Sequence, residues 1–190
     1  LYKIRSLEER SRQGLRNLNK DELDTYFKGV QQSRNLKKVI DNSEVSETAR
    51  DKAQKKYEKI REDNYRLLEE ASDRKLEQNL TEAEKKARQR GGEIKTYRTQ
   101  DEYIEAVSGV SAEKVLNEET GKMEYTKEFM EAARQHRYSD GRHIDGVSYI
   151  NLETARTLGS VAVGSHEVFH SILDAYVKDA IDNWYEGPLD

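Results

Sequence analysis

Residues 162–176, AVGSHEVFHSILDAY, begin the segment with the strongest helical pattern in this chain of 190 residues. Apolar side chains recur there at i, i+3 and i+4 spacing, which is typical of a helix that buries one face in a core. The apolar positions are Val168, Phe169, Ile172, Leu173, Tyr176, Val177, Ala180, Ile181 and Trp184. The pattern therefore predicts a core helix with the sequence HEVFH near its start.

Two of the four histidines of the chain lie within HEVFH. His166 and His170 differ by about 40° around a helix and stack one turn apart, so both imidazoles can reach one tetrahedral metal ion. Because the chain contains no cysteine, any metal must be held by His, Asp or Glu. The spacing predicts zinc bound by His166 and His170, with Glu167 beside them as a general base. The other two histidines, His136 and His143, are expected to be surface or capping imidazoles.

The residues before this helix have the pattern of a small α+β domain. Alternating and helical spacings are both present, and LNEETGKMEY indicates a hairpin or loop around Gly121. The patterns predict strands over 93–98 and within 143–151, helices over 100–108 and 127–135, and a short helix or loop over 153–158.

Residues 1–92 form a different region, rich in charge and in helical patterns. They contain 23 Lys and Arg against 18 Asp and Glu, whereas the rest of the chain contains 10 against 19. Arg88 and Arg90 followed by Gly91 and Gly92 are typical of a helix C-terminus. We therefore predict a helical arm over 1–92 and a second domain over 93–190 that continues past the end of the sequence.

Within the arm, two capping boxes predict where helices begin. Asn19-x-x-Glu22 indicates a helix that runs to Ile40, and Thr81-x-x-Glu84 indicates a second start. Between them, apolar residues keep the spacing of a narrow coiled-coil seam, which permits self-association or assembly through the arm. The seam residues are Ala53, Tyr57, Ile60, Asn64, Leu67 and Ala71.

Composition narrows the partners and the compartment. No apolar run is long enough to span a membrane, and the N-terminus, LYKIRSLEER, has charges where a signal peptide has an apolar region. The excess of five positive charges in the arm is dispersed among its acidic residues, so nucleic acid is not the favoured partner. The sequence predicts a soluble protein without assigning its compartment.

The order of these parts resembles that of the zincin metallopeptidases: a strand, a connection, then a helix with H-E-x-x-H, here HEVFH. The likeness covers about residues 93–185, and its only specific motif is the five-residue one. It implies a zincin-like fold, a zinc cofactor and a peptide or protein substrate. A strand beside the motif helix would bind an extended peptide, so Val147, Tyr149 and Asn151 are predicted to contact the substrate.

The third metal ligand stays open. The metzincin pattern is excluded, because Leu173 and Tyr176 occupy its Gly and His positions. SprT-like proteins place a histidine where this chain has Asp174, which extends the face of His166 and His170 by one turn. Gluzincins take a later glutamate, for which Glu186 is the candidate within this sequence. The remaining alternative is a residue beyond position 190.

Two functions follow as hypotheses. The first is a zinc-dependent endopeptidase carried as a module of a larger polypeptide, with the helical arm for tethering or assembly. The second is a non-catalytic structural or packaged protein, such as a virion component, that retains a zincin-like fold. Bacteriophage-particle proteins and secreted bacterial toxins carry modules similar to this one, so a virion-associated or secreted location fits either hypothesis.

Overall fold

A computed structural model describes the backbone of residues 2–167 and the side chains of residues 7–167. Contacts divide the chain into two compact units, Leu1–Lys75 and Leu76–Asp190. The described residues contain both long helices and two small sheets, so the predicted α+β class is confirmed. The core helix predicted from residue 168 onward lies outside the described residues.

The N-terminal unit is helical. It contains α1 (Tyr2–Arg16), α2 (Lys20–Ile40) and the first part of α3 (Glu47–Gln89). Asn19 caps α2 through the predicted capping box: its side chain accepts from the Glu22 backbone at 2.9 Å, and the Glu22 carboxylate accepts from the Asn19 backbone at 2.8 Å. The start and end of α2 predicted from sequence are therefore confirmed.

Ion pairs join the helices of the N-terminal unit. Arg10 on α1 donates to Glu69 at 2.6 Å and to Asp73 at 3.1 Å, both on α3. Arg74 donates to both carboxylate oxygens of Glu22 at 2.8 and 2.9 Å. This hydrogen bond is the main reason why the pKa of the Glu22 carboxyl is lowered.

Helix α3 runs without interruption past the second predicted capping box. Thr81 lies inside it, and its hydroxyl donates to the Glu77 carbonyl at 3.0 Å. The prediction of a helix start at Thr81 is therefore wrong, since a hydroxyl inside a helix can bond to the carbonyl four residues earlier. The predicted helix end is confirmed: α3 stops at Gln89, Gly91 has φ +75°, and the Gly92 N–H returns to the Ala87 carbonyl at 2.9 Å.

The C-terminal unit contains a three-stranded sheet, a hairpin and three complete helices among the described residues. In chain order the elements are β1 (Glu93–Tyr97), α4 (Gln100–Ser108), β2 (Lys114–Asn117), β3 (Lys122–Tyr125), α5 (Lys127–His136), β4 (Gly141–Ile144), β5 (Val147–Asn151) and α6 (Leu152–Leu158). The sheet has the order β1-β5-β4, with β1 parallel and β4 antiparallel to β5. Strands β2 and β3 form the separate antiparallel hairpin.

The strand predicted within 143–151 is a hairpin of two strands. Asp145 and Gly146 form its two-residue loop, with φ of +50° and +82°, and Ile144 pairs with Val147. Asp-Gly is the sequence that such a tight hairpin turn favours, because both loop residues need a left-handed backbone. The single strand is therefore corrected to β4, a turn and β5.

The sheet of the C-terminal unit has a core on each face. Successive residues of β5 point to opposite sides. Ile150 packs with Leu76 and Leu80 of α3, while Tyr149 packs against the cluster that contains Tyr103 and Phe129. The middle strand therefore joins two cores, one completed by α3 and the other by α4 and α5.

The end of α3 belongs to the C-terminal unit. Its apolar side chains at Leu76, Leu80, Ala83 and Ala87 are at most 5 % exposed. The division between the compact units falls inside α3, after Lys75. In the part of the chain that the structure describes, none of the helices has the length and apolarity needed to cross a membrane.

Candidate active site around Glu167

A helix, here called the motif helix, begins at residue 163, follows α6 and includes His166 and Glu167. Asn151, the last residue of β5, caps α6 by accepting from Thr154 at 3.1 Å. A Cβ on Gly164 would lie 2.8 Å from Leu80 Cδ2 and 3.0 Å from Ala83 Cβ. The glycine therefore lets the first turn of the motif helix approach α3 closely, which fixes where His166 and Glu167 project.

Glu167 is buried against the start of β4. Its residue is 4 % exposed, and a Cβ on Gly141 would lie 3.0 Å from both Glu167 Cγ and Oε1. The hydroxyl of Ser148 donates to the Glu167 backbone carbonyl at 3.4 Å. Gly141 is thus the residue that leaves room for this carboxylate at the sheet.

His143 is linked to this site by hydrogen bonds through Ser148. Its Nδ1 is 3.0 Å from Ser148 Oγ, which connects β4, β5 and the backbone of the motif helix. His143 had been expected to be a surface or capping imidazole, but it is only partly exposed and bonds across the β4–β5 hairpin. Both strands therefore contribute polar groups around Glu167.

A second chain of hydrogen bonds runs from α4 to Gly141. Tyr103 is fully buried, its hydroxyl lies 2.7 Å from Ser139 Oγ, and Ser139 donates to the Gly141 carbonyl at 3.0 Å. Burial is the main cause of the raised pKa of Tyr103, and the negative charge of Glu167 raises it further. The phenol consequently stays protonated near the buried carboxylate.

His136 is buried, contrary to the sequence expectation of a surface imidazole. It is 7 % exposed and lies edge-on to Tyr103, with ring centroids 6.5 Å apart. Burial, and then the positive charge of Arg142, lower the pKa of His136. Both effects favour the neutral imidazole, so this side chain adds no positive charge beside the site.

The predicted metal ligands lie at the limit of the described residues. His166 is exposed on the motif helix, where a solvent-facing imidazole has the donor chemistry that zinc requires. His170, Asp174 and Glu186 lie outside the described residues. Up to residue 167, no group of three or more His, Asp or Glu side chains is arranged to hold a metal ion. His166 is the predicted zinc ligand that lies among the described residues, and it fits zinc in donor type and in exposure.

The predicted substrate residues all lie on β5. Tyr149 stacks on Tyr97 with ring centroids 6.2 Å apart, Asn151 is fully buried, and Val147 is partly exposed beside the hairpin turn. Since β5 has β1 on one side and β4 on the other, its main chain is paired in both directions. Among the described strands of this sheet, β4 and β1 are the ones with a single neighbour.

Gly141, Ser148 and Tyr103 were not predicted as parts of the site. Ser139-Asp140-Gly141 has the letters of a turn, and Tyr103 fits an apolar position of a helix, so neither pattern indicates a site. Each contacts the site through residues that are distant in sequence, which spacing within one element does not reveal. The local signal that could have been used is Asp145-Gly146, because a tight turn there places β4 beside β5.

No family model, curated protein or solved structure matches this chain.

Proposed function

We propose that the C-terminal unit is a zincin-like, zinc-dependent endopeptidase module of a larger polypeptide. The observation that carries this proposal is the position of His166 and Glu167: a helix begins at residue 163, after α6, with Glu167 buried at the start of β4 and His166 exposed. A carboxylate next in sequence to a solvent-facing imidazole is one part of the arrangement that this chemistry requires, and a metal ion with a bound water would complete it.

In this proposal His166 and His170 hold the zinc, together with Asp174, Glu186 or a residue beyond position 190. Zinc, when bound, lowers the pKa of a bound water and polarises the substrate carbonyl. Glu167 takes a proton from the attacking water and delivers it to the leaving amine. Gly141 and Ser148 keep the carboxylate and the backbone of Glu167 in place.

The peptide substrate pairs with β4 in this proposal, because β5 is already flanked by two strands. Strand β4 has β5 as its one neighbour among the described strands and lies directly beside Glu167. An extended peptide added there gains main-chain hydrogen bonds without regard to its side chains. Strand β4 then lies between the added peptide and β5, which carries Val147, Tyr149 and Asn151.

One observation favours the alternative of a non-catalytic, structural module. At 4 % exposure, Glu167 has little access to a water molecule and could serve to anchor the motif helix to the sheet. In that case zinc, where bound, contributes only to stability. A virion component with a retained zincin-like fold would have these properties.

The experiment that separates the two functions uses Glu167→Gln and His166→Ala in the full chain, extended past residue 190. Zinc content is measured by elemental analysis after reconstitution, and peptidase activity is measured on labelled casein. The endopeptidase proposal requires zinc to be lost in His166→Ala but kept in Glu167→Gln, with activity reduced at least about 100-fold in both.

The control is Glu131→Gln on α5, because Glu131 has an exposed side chain and is not part of the site. It should change neither zinc content nor activity. Zinc binding without activity in the unaltered protein would favour the structural module, and absence of zinc would reject both the metal and the catalytic proposal. Zinc titration of Asp174→Ala and Glu186→Ala in the same protein identifies the third ligand.

A further inference from the structure

The N-terminal unit contains a cavity between α2 and α3 that the proposed peptidase chemistry does not use. Its volume is about 630 Å³, and its walls come from residues 26–38 and 57–68. The two helices approach closely beside it, since a Cβ on Gly29 would lie 2.4 Å from Asn64 Oδ1. A cavity of this size is in the range of small-molecule sites.

Positive side chains line one part of this cavity, and no acidic residue lines it. The cations are Arg34, Lys37, Lys38 and Arg61. Lys37 has an ion pair with Asp41 at 2.9 Å, and Arg61 lies over the ring of Tyr57 at 5.6 Å from its centroid. For Arg34 and Lys38, no ion pair is formed with any of the described residues, so their charges can attract an anion.

The remaining wall is aromatic and apolar, with a buried hydroxyl. Tyr26, Tyr57 and Tyr65 line it, and tyrosine rings provide flat faces on which a planar ring can stack. Ser33 Oγ is buried at the wall and makes no hydrogen bond within the described part of the chain. Serine in a helix commonly donates to the carbonyl four residues earlier. Because Ser33 Oγ makes no such bond, a ligand can take up its hydrogen-bonding capacity.

We propose that this cavity binds a phosphorylated ring compound of nucleotide size. The phosphate lies against Arg34 and Lys38, because an Arg fork and a Lys ammonium both suit phosphate oxygens. The planar ring lies between the tyrosines, and Ser33 hydrogen-bonds to a polar atom of the ligand. The positive charges favour an anion, and the aromatic wall and the volume favour a ligand that carries a planar ring. A ring compound with a phosphate is therefore expected to bind more tightly than a simple inorganic anion.

The test is isothermal titration of the full chain with ADP and, separately, with inorganic pyrophosphate and with a short single-stranded oligonucleotide. ADP should bind, and Arg34→Ala and Lys38→Ala should each weaken it about tenfold or more. Lys28→Ala is the matched control, since Lys28 is an exposed lysine of the same helix that does not line the cavity. Circular dichroism of each variant establishes that the helices are retained.

Four results would overturn the proposal. They are no binding of ADP, equal loss in the Lys28→Ala control, pyrophosphate bound as tightly as ADP, and an oligonucleotide bound more tightly than ADP. The third would remove the role of the aromatic wall, and the fourth would make this surface a nucleic-acid site. Substitution Ser33→Leu, which removes the hydroxyl and narrows the cavity without changing charge, should weaken ADP binding while the helices remain intact.

Discussion

At the scale of single residues, Gly141 provides a direct test of how Glu167 is placed. In Gly141→Ala the new Cβ would lie 3.0 Å from Glu167 Cγ and Oε1, which is closer than packed side chains normally come. We expect the carboxylate to shift, the free energy of unfolding to fall by about 1–3 kcal/mol, and any peptidase activity to fall more than the stability loss explains. Chemical denaturation and the casein assay measure these two effects.

The control for this substitution is Gly92→Ala in the same unit. A Cβ there would lie 3.5 Å from the Ala87 carbonyl oxygen, at ordinary contact distance, so little change is expected. Unchanged activity and stability in Gly141→Ala would mean that the space beside Glu167 is not needed.

His136 gives a prediction about pH. Burial and Arg142 lower its pKa from the ordinary value of 6.5, so the unfolded chain takes up a proton at a higher pH than the folded one does. As the pH falls below 6.5, the free energy of unfolding should therefore decrease, until the pH passes the lowered pKa of the folded state. Above 6.5 this destabilisation is absent, because His136 is neutral in both states.

The measurement compares urea unfolding of the unaltered protein and of His136→Phe across this pH range. Phenylalanine keeps an aromatic ring edge-on to Tyr103 and cannot be protonated, so the decrease between about pH 7 and pH 5 should become smaller. Equal decreases in both proteins would show that His136 does not contribute to the pH dependence.

Helical spacing within one segment is enough to predict a site at His166, Glu167 and His170, and that site stays a prediction. The surroundings of these residues could not be predicted in the same way. The burial of His136 and the fit of Gly141 to Glu167 depend on contacts between α4, α5, β4 and the motif helix. Contacts between elements that are distant in the sequence produce no periodic pattern of residue types, so these features could be found only in the folded structure.

At the scale of helices and strands, two glycines of the N-terminal unit differ in what they contact on α3. A Cβ on Gly14 would lie 2.1 Å from the Leu68 backbone oxygen, whereas a Cβ on Gly29 would meet the side-chain amide of Asn64. Backbone atoms cannot move away without shifting a helix, but an amide can change its rotamer. We therefore expect Gly14→Ala to destabilise the protein more than Gly29→Ala does.

Thermal unfolding of the two variants followed by circular dichroism is the measurement. Each substitution adds one methyl group inside a helix, where alanine itself is favoured over glycine by about 1 kcal/mol. Gly29→Ala thus serves as the control for helix propensity. A larger loss in Gly29→Ala would contradict the close approach of α1 and α3 at Gly14.

Local signals predicted most of the element boundaries, and they failed at Thr81, where packing in the core overrides a local signal. The capping box at Asn19 and the glycines after Gln89 were read correctly, because each is settled by hydrogen bonds within a few residues. Thr81-x-x-Glu84 has the same letters as a cap, yet Leu80 before Thr81 and Ala83 after it are both buried on the apolar face of α3. Packing of the apolar face kept the helix continuous.

At the scale of the whole molecule, α3 belongs to both compact units. Its residues up to Lys75 contribute to the N-terminal unit, and those from Leu76 onward contribute to the core of the C-terminal unit. The sequence placed the boundary at Gly91 and Gly92, where charge and pattern change. Charge reports on the exposed face of a helix, whereas a domain boundary depends on its buried face, and the two faces of α3 lead to different predictions.

The two boundaries can be distinguished with two fragments, one beginning at Leu76 and one at Gly92. The longer fragment keeps Leu76 and Leu80, which are 1 % and 5 % exposed and pack with Ile150 of the central strand. Removing a buried leucine side chain costs about 2–5 kcal/mol, and loss of both would approach the whole stability of a small domain. We expect the fragment from Leu76 to unfold cooperatively and the fragment from Gly92 to lack a cooperative transition, as measured by urea denaturation with tryptophan fluorescence. Cooperative unfolding of the shorter fragment at the same urea concentration would place the boundary at the glycines, as the charge pattern predicts, and would show that α3 adds nothing essential to this core.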